Sequence, residues 1–177
     1  MTKRNLIFAA FAAIALGGGA HAQTTTGGSL ALAGEVQGSI AILFWQDPAG
    51  YQLTEGTSST AMDIGTVSAY GTPSGAMANK FTKGMDSDGF HVSSPFQLQV
   101  VEANLPSSSG YTLRAQLGDE DDTVWEVDGQ VLSTTPALLA SAEPYTTKRQ
   151  HILYAKFPFA KTATRLNDTI TFTASAN

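Results

Sequence analysis

The chain is poor in cysteine, in charge and in basic residues, and each shortage excludes a class of protein. None of its 177 residues is Cys, which excludes a disulfide-stapled scaffold, a thiolate metal site and cysteine-based catalysis. Only 14% of the residues are charged, and 10 Lys and Arg face 15 Asp and Glu, for a net charge of −5. Because nucleic-acid affinity depends on neutralising phosphates, the sequence predicts no nucleic-acid partner. The 42% of apolar residues is still enough to form a buried core.

Long hydrophobic runs are also scarce, and the longest stands near the start of the sequence. A short basic segment precedes the apolar run 6–16, which ends in three glycines and Ala20-His21-Ala22. These are the parts of a secretory signal peptide, whereas spanning a bilayer requires about 20 apolar residues. Residues 1–22 are therefore predicted to direct export, with cleavage after Ala22 and no membrane span in the mature chain. The destination, whether cell surface, fimbrium, periplasm or medium, stays open here.

The mature chain is a single domain with a short leader. Its 155 residues include 8 basic and 15 acidic ones, for a net charge of −7, and 20 Thr and 15 Ser supply much of its polarity. Segment 23–28 has no large apolar side chain and is predicted to be a flexible polar leader. Residues 29–177 have the length of one domain, since domains typically contain about 100–200 residues.

Short runs of alternating apolar and polar residues dominate this domain. Alternating runs fit strands with one buried and one solvated face. Eight to ten such runs, with turns about every 8–12 residues, predict an all-β fold. The expected architecture is an immunoglobulin-like antiparallel β-sandwich, and an antiparallel barrel is the alternative. The clearest runs lie within 30–44, 96–100, 111–117, 151–159 and 170–176.

Four local predictions concern the connections between these runs. Segments 95–101 and 111–117 are expected to pair as a hairpin, and Asp128-Gly129 is expected to form a hairpin corner. Residues 136–142 could form one helical turn before Pro144. A short strand is expected around Ile64, with that side chain pointing inward.

Catalytic motifs are absent from the sequence. His91 and His151 are the histidines of the mature chain, and neither stands near a recognisable nucleophile or metal motif. A hydrolytic site assembled in space from distant residues is a third hypothesis, because catalytic triads are defined by geometry. The sequence predicts a protein that is not an enzyme and has no cofactor.

The acidic run Asp119-Glu120-Asp121-Asp122 is a weak candidate for a cation site. Carboxylates are the ligands that Ca²⁺ prefers, and Asp119, Asp121 and Asp122 would be the donors. The spacing matches no EF-hand loop, so a solvated turn is preferred and no metal is predicted.

Two tyrosines are candidate glycan contacts. Tyr51 and Tyr145 stand beside turns and are expected to be exposed, whereas most other aromatic residues are expected in the core. An exposed aromatic face offers a large rigid contact area to a ligand. A self-complete sandwich that binds glycans or a surface partner through its loops is therefore the alternative function.

The segment after the leader suggests a different role. Leu30, Leu32 and Val36 alternate immediately before the first strong strand, so they could fill pockets in another subunit's sheet. The alternative is that this segment is the first strand of its own sandwich.

The chain resembles bacterial fimbrial subunits of the chaperone–usher kind and, more loosely, spore-coat-U-type secreted pilins. The features that carry the resemblance are the signal peptide, Leu30-Ala31-Leu32, the segment 63–67 before a Gly/Pro loop, and the terminal run 169–177. The resemblance implies an incomplete immunoglobulin-like sandwich that polymerises by donating its N-terminal strand. It implies as partners another copy or a related subunit, and a periplasmic chaperone. Ile170 and Phe172 of the closing strand would border the acceptor groove.

Overall fold

The computed structural model describes residues 33, 35–71, 80–160 and 166–177. Contacts divide the chain into a unit Met1–Glu35, of which only Ala33 and Glu35 are described, and a compact unit Val36–Asn177. Every element with defined bounds in the second unit is a β-strand, and every strand pairing is antiparallel. The all-β prediction is confirmed, and the two sheets form a sandwich-like pair.

The larger sheet has six strands in the order β1–β3–β8–β5–β6, with β2 also paired to β3. Its central strand β3 is long enough for β1 and β2 to share one of its edges, while β8 occupies the other. The strand bounds are β1 Ser39–Gln46, β2 Thr82–Met85, β3 Gly89–Ala103, β5 Val124–Val127, β6 Gln130–Val131 and β8 Arg149–Pro158.

The smaller sheet has three strands, in the order β7–β4–β9. β4 is Tyr111–Leu117, β7 is Ala137–Glu143 and β9 is Ile170–Ala176. β9 pairs with β4 without interruption, whereas the pairing of β4 with β7 contains two register shifts. Strands β7 and β9 are thus the two edges of this sheet.

The core lies between the sheets, where the alternating apolar residues meet. All four predicted inward residues of β4 are buried, and so are the three of 96–100. Because successive side chains of a strand point to opposite faces of its sheet, one face of each strand contacts the opposite sheet. The alternation therefore predicted the buried faces correctly. The fully buried side chains include Val92, Leu98 and Val100 of β3, Tyr111 and Leu113 of β4, and Val127 of β5.

The predicted hairpin corner at Asp128-Gly129 is confirmed. Asp128 has φ 55° and Gly129 has φ 77°, the two positive values that a type I′ turn requires. The turn joins β5 to β6, with Glu126 opposite Val131.

The predicted hairpin of 95–101 with 111–117 is wrong. β3 belongs to the larger sheet and β4 to the smaller one, so residues 104–110 cross from one sheet to the other. The buried faces of the two strands meet across the core rather than lying side by side. Alternation reveals which face is buried but not which strand is the hydrogen-bonded neighbour.

Two further local predictions are also wrong. Residues 137–143 form the edge strand β7 rather than a helical turn, because pairing with β4 outweighs the intrinsic helix preference of Ala and Leu. Ile64 is buried, but residues 60–69 form no strand. Gly65 at φ 70° interrupts the extended backbone there.

Candidate functional site

The free edge of β9 offers unpaired backbone groups to another chain. The N–H of Gly118 donates to Thr169 O, and the N–H of Asn177 donates to Gly110 O. Directly opposed antiparallel residues alternate between hydrogen-bonded and non-hydrogen-bonded pairs. Given the register, Ile170, Phe172, Ala174 and Ala176 therefore point their N–H and C=O groups away from β4. Within the described part of the chain, these groups have no backbone partner.

Within the described residues, β9 carries none of the usual protections of an edge strand. Natural edges are protected by short length, charge, proline, bulges or a covering element. β9 has seven residues, Ile-Thr-Phe-Thr-Ala-Ser-Ala, without a charge or a proline, and its register with β4 is unbroken. Such an edge is a template for strand addition.

The inward side chains of β9 face an aromatic cluster. Phe172 lies 5.6 Å from the ring of Phe44 and 5.8 Å from that of Phe96, in edge-to-face contacts. Edge-to-face geometry is the favourable arrangement for aromatic rings. The cluster connects β9 with β1 and β3 of the larger sheet.

A cavity of about 1130 Å³ lies beside β9 and is lined by both sheets and by residues 60–69. The smaller sheet has three strands against six, so it cannot cover the whole inner face of the larger one. Ile170 and Phe172, the expected groove residues, both line this cavity. The other aromatic lining residues are Phe44, Phe90, Phe96, Trp125, Phe157 and Phe159.

One hydrogen bond fixes the start of β9 to the larger sheet. The indole N–H of Trp125 donates to Asp168 Oδ2 at 2.9 Å, and Trp125 is buried against the cavity. No sequence pattern indicates this pair, because the two residues lie 43 positions apart. Trp125 is also a natural fluorescent probe of what occupies the cavity.

The candidate donor residues are only partly within the described structure. Val36 is 79% exposed, and residues 35–38 lie outside any strand, since β1 begins at Ser39. The expected strand through these positions is therefore wrong for 35–38. Leu30 and Leu32 lie outside the described residues.

The buried side chain of His151 pairs with a partly exposed aspartate, Asp128. Its Nδ1 lies 2.6 Å from Asp128 Oδ2, and Asp128 Oδ1 accepts the N–H of Ile152. Burial alone would raise the pKa of Asp128, but these hydrogen bonds outweigh burial and hold that pKa below its ordinary value. The buried Nε2 of His151 has no hydrogen-bond partner among the described residues. The pair orders the β5–β6 turn against β8.

His91 pairs with Asp86 at 3.2 Å, and its ring stacks on Tyr154 at 4.7 Å. Tyr154 also donates to Asp86, and both burial and that carboxylate raise the pKa of the phenol. Lys156 binds Asp88 at 2.8 Å, so its ammonium supplies a cation to this turn. Within the described residues, neither histidine has a hydroxyl nucleophile hydrogen-bonded to Nε2. The hydrolytic hypothesis therefore gains no support.

Two carboxylates of the acidic run accept hydrogen bonds that order the turn. Asp121 accepts from the N–H and the hydroxyl of Thr123, and Glu120 accepts from the N–H and the hydroxyl of Thr134. No cluster of three or more metal-ligating side chains is found among the described residues. Asp119, Asp121 and Asp122 are thus not brought together as a ligand set.

The expected exposure of Tyr145 is wrong. Tyr145 is only 8% exposed, because its hydroxyl is satisfied by Ser108 at 2.6 Å and its ring packs on Tyr111. Tyr51 is partly exposed and packs on Phe81. The aromatic pair that sequence reasoning missed is Tyr70, 78% exposed, stacked at 6.4 Å on Phe159.

No family model matches the chain, and the search of curated proteins finds no match either. No helix in residues 33, 35–71, 80–160 and 166–177 is long and apolar enough to cross a bilayer.

Proposed function

We propose that this chain is an exported, non-enzymatic structural subunit that assembles by donating residues 29–37 to the free edge of β9 in another copy or a related subunit. The observation that carries the proposal is the unprotected β9 edge, whose outward backbone groups lie beside an apolar cavity. Strand addition uses main-chain hydrogen bonds for affinity and alternate side chains for specificity. The acceptor would be an immunoglobulin-like sandwich completed by the incoming strand.

The length of the donor segment suits the acceptor edge. Nine extended residues span roughly 30 Å, and the seven residues of β9 span roughly 23 Å. Leu30, Leu32 and Val36 fall on one face of an extended segment, with Gly34 between them. That face would turn toward the aromatic lining around Phe172.

The exposed start of the domain favours donation over self-pairing. Val36 presents an apolar side chain to solvent, and residues 35–38 have no strand partner within the described residues. An unpaired extended segment and an open strand edge are both sites at which another chain can pair. In an assembly, the same two features complete each other. Export through residues 1–22 and a periplasmic chaperone that covers the edge before assembly belong to this proposal.

The test compares two neighbouring substitutions in the mature chain. Leu32→Asp places a charge on the pocket-facing side, so polymer formation should weaken by about tenfold or more. Ala33→Asp places the same charge on the opposite face and should change assembly by less than about twofold. Sedimentation velocity across a concentration series measures both.

Either of two outcomes would contradict strand donation. The unmodified mature chain could remain a monomer at every concentration, or the two substitutions could weaken assembly equally. Far-UV circular dichroism of each variant checks that the domain itself stays folded.

A further inference from the structure

The open flank of the sandwich beside β9 carries an internal segment, residues 60–69, which we call the cover. Ile64 is its one buried side chain, at 9% exposure, and Met62 and Val67 pack partly buried against the core. The cover and β9 line the same cavity. The cover and β9 therefore flank the same groove.

Backbone hydrogen bonding stops just before the cover begins. The N–H of Phe44 donates to Thr57 O, and the N–H of Gly56 donates to Phe44 O, both at 2.8 Å. Within the described residues, the backbone of 60–69 makes no hydrogen bond to any strand. Its hydrogen bonds among the described residues are local: Gly65 N–H donates to Asp63, the Ser68 hydroxyl donates to Tyr70 O, and Thr60 Oγ1 accepts from Thr54 N–H. Segment 54–57 is thus fixed to β1, whereas the cover is held by side-chain burial.

The cover also packs incompletely. A cavity of about 1130 Å³ remains between residues that belong to the cover and residues of both sheets. This space is a groove that is partly open to solvent, so the cover does not seal the flank of the sandwich. Segments with few buried apolar contacts and little backbone hydrogen bonding open at low free energy.

We infer that residues 60–69 are a displaceable cover, which shields the apolar groove in the free subunit and leaves it when a donor segment enters. The identification of the donor segment as the displacing partner rests on the proposed function. A donor strand would pair with the outward N–H and C=O groups of β9, which the cover leaves unpaired. It would also fill the apolar space more completely. The exchange therefore favours the donor.

The absence of cysteine in this chain permits a direct test by thiol labelling. Ile64→Cys in the mature chain places a unique thiol under the cover. Leu113→Cys places one at a fully buried position of strand β4. With a bulky thiol reagent, the Ile64→Cys protein should label at least about 100-fold faster, at a rate independent of low urea concentrations. Val67→Cys is a second cover variant in case Ile64→Cys folds poorly. Equal labelling of the cover thiols and the Leu113→Cys thiol would overturn the inference.

The second arm of the test adds the donor as a peptide. The protein carries Leu32→Asp, so that its own arm is disabled, together with Trp45→Phe, so that Trp125 alone reports the cavity. A peptide of residues 27–38 should change the Trp125 fluorescence and raise the labelling rate of the Ile64→Cys thiol several-fold. A fluorescence change with slower labelling would mean that the cover stays in place, which overturns displacement. No fluorescence change, with fast labelling, would contradict strand donation while supporting a cover that opens by itself.

Discussion

The two edges of the three-stranded sheet, β7 and β9, pair with the same strand and differ in how they are protected. β7 pairs with β4 through two register shifts, has Ala142 at φ 55°, and ends in Glu143, which binds Arg149 at 2.6 Å. β9 pairs with β4 over seven residues without a shift, a charge or a proline. Bulges and charges are the devices by which natural sheets discourage edge-to-edge pairing.

The difference shows that the protection is selective. A sequence that blocks one edge of a sheet and leaves the other regular restricts strand addition to a single place. The regular edge is also the one beside the apolar cavity and the cover. Backbone pairing and apolar pockets, the two requirements of strand addition, therefore coincide only at β9 among the described residues.

The largest expected effect comes from removing one outward donor of β9. Ala174 points its N–H toward the free edge, so Ala174→Pro should leave the pairing with β4 intact while weakening assembly by about tenfold or more. Sedimentation velocity measures assembly, and urea unfolding measures the stability of the subunit.

Two controls isolate the edge. Ser141→Lys, on exposed β7, should leave assembly unchanged and stability within about 0.5 kcal/mol. Thr173→Pro removes an N–H that donates to β4, so it should destabilise the subunit itself. If Ser141→Lys weakened assembly as much as Ala174→Pro, the contrast between the two edges would be wrong.

A substitution with an intermediate effect on stability tests whether assembly depends on the β9 edge or on the overall stability of the subunit. Asp128→Asn suits the positive-φ turn equally well, but it removes the charge beside His151 and replaces one of the two acceptor oxygens with an NH2 group. The free energy of unfolding at neutral pH should fall by about 1–2 kcal/mol, since this carboxylate is partly solvated. Both edges remain intact, so assembly per folded subunit should not change.

The pH dependence of that variant has a definite sign. The folded-state pKa of Asp128 is lowered, so its stabilisation is fully present above the unfolded pKa near 3.8 and is lost as pH falls through the lower folded pKa. The stability difference between the unmodified protein and Asp128→Asn should therefore shrink below about pH 4. Urea unfolding from pH 5 to pH 2 checks this, and a constant difference across that range would contradict it.

The smallest effect concerns the bulged edge. Ala142 adopts a left-handed backbone that costs roughly 1–2 kcal/mol for an L-residue, while glycine loses about 0.5–1 kcal/mol in chain entropy. Ala142→Gly should therefore stabilise the subunit by about 0.5 kcal/mol and leave assembly unchanged. Thermal unfolding measures the gain, and a loss of stability would mean that Ala142 is not strained.

Sequence patterns located the buried faces of the strands but not their neighbours. The inward residues of β4 and the inward half of β3 followed directly from alternation, because a side-chain period of two is a property of each strand alone. Pairing depends on residues far apart in the chain. For that reason the hairpin expected between 95–101 and 111–117 became a crossing between two sheets.

The candidate site also combines features that the sequence predicted with features that only the structure shows. The terminal run 169–177 indicated a closing strand with Ile170 and Phe172 inward, as observed in β9. Tyr145 appeared exposed because it follows a proline and precedes a polar segment, but its partner Ser108 lies 37 positions away. Hydrogen-bond partners at that separation leave no periodic signal in the sequence.

By itself, the sequence determined the class of fold, the turn at Asp128-Gly129 and the inward face of each main strand, because local periodicity and positive-φ preferences are encoded within a few residues. Only the tertiary structure decided that the outer edge of β9 has no strand partner among the described residues, that residues 60–69 line the groove without pairing to a described strand, and that Trp125 holds Asp168. These features depend on contacts between distant segments, where sheet pairing and packing outweigh local preference.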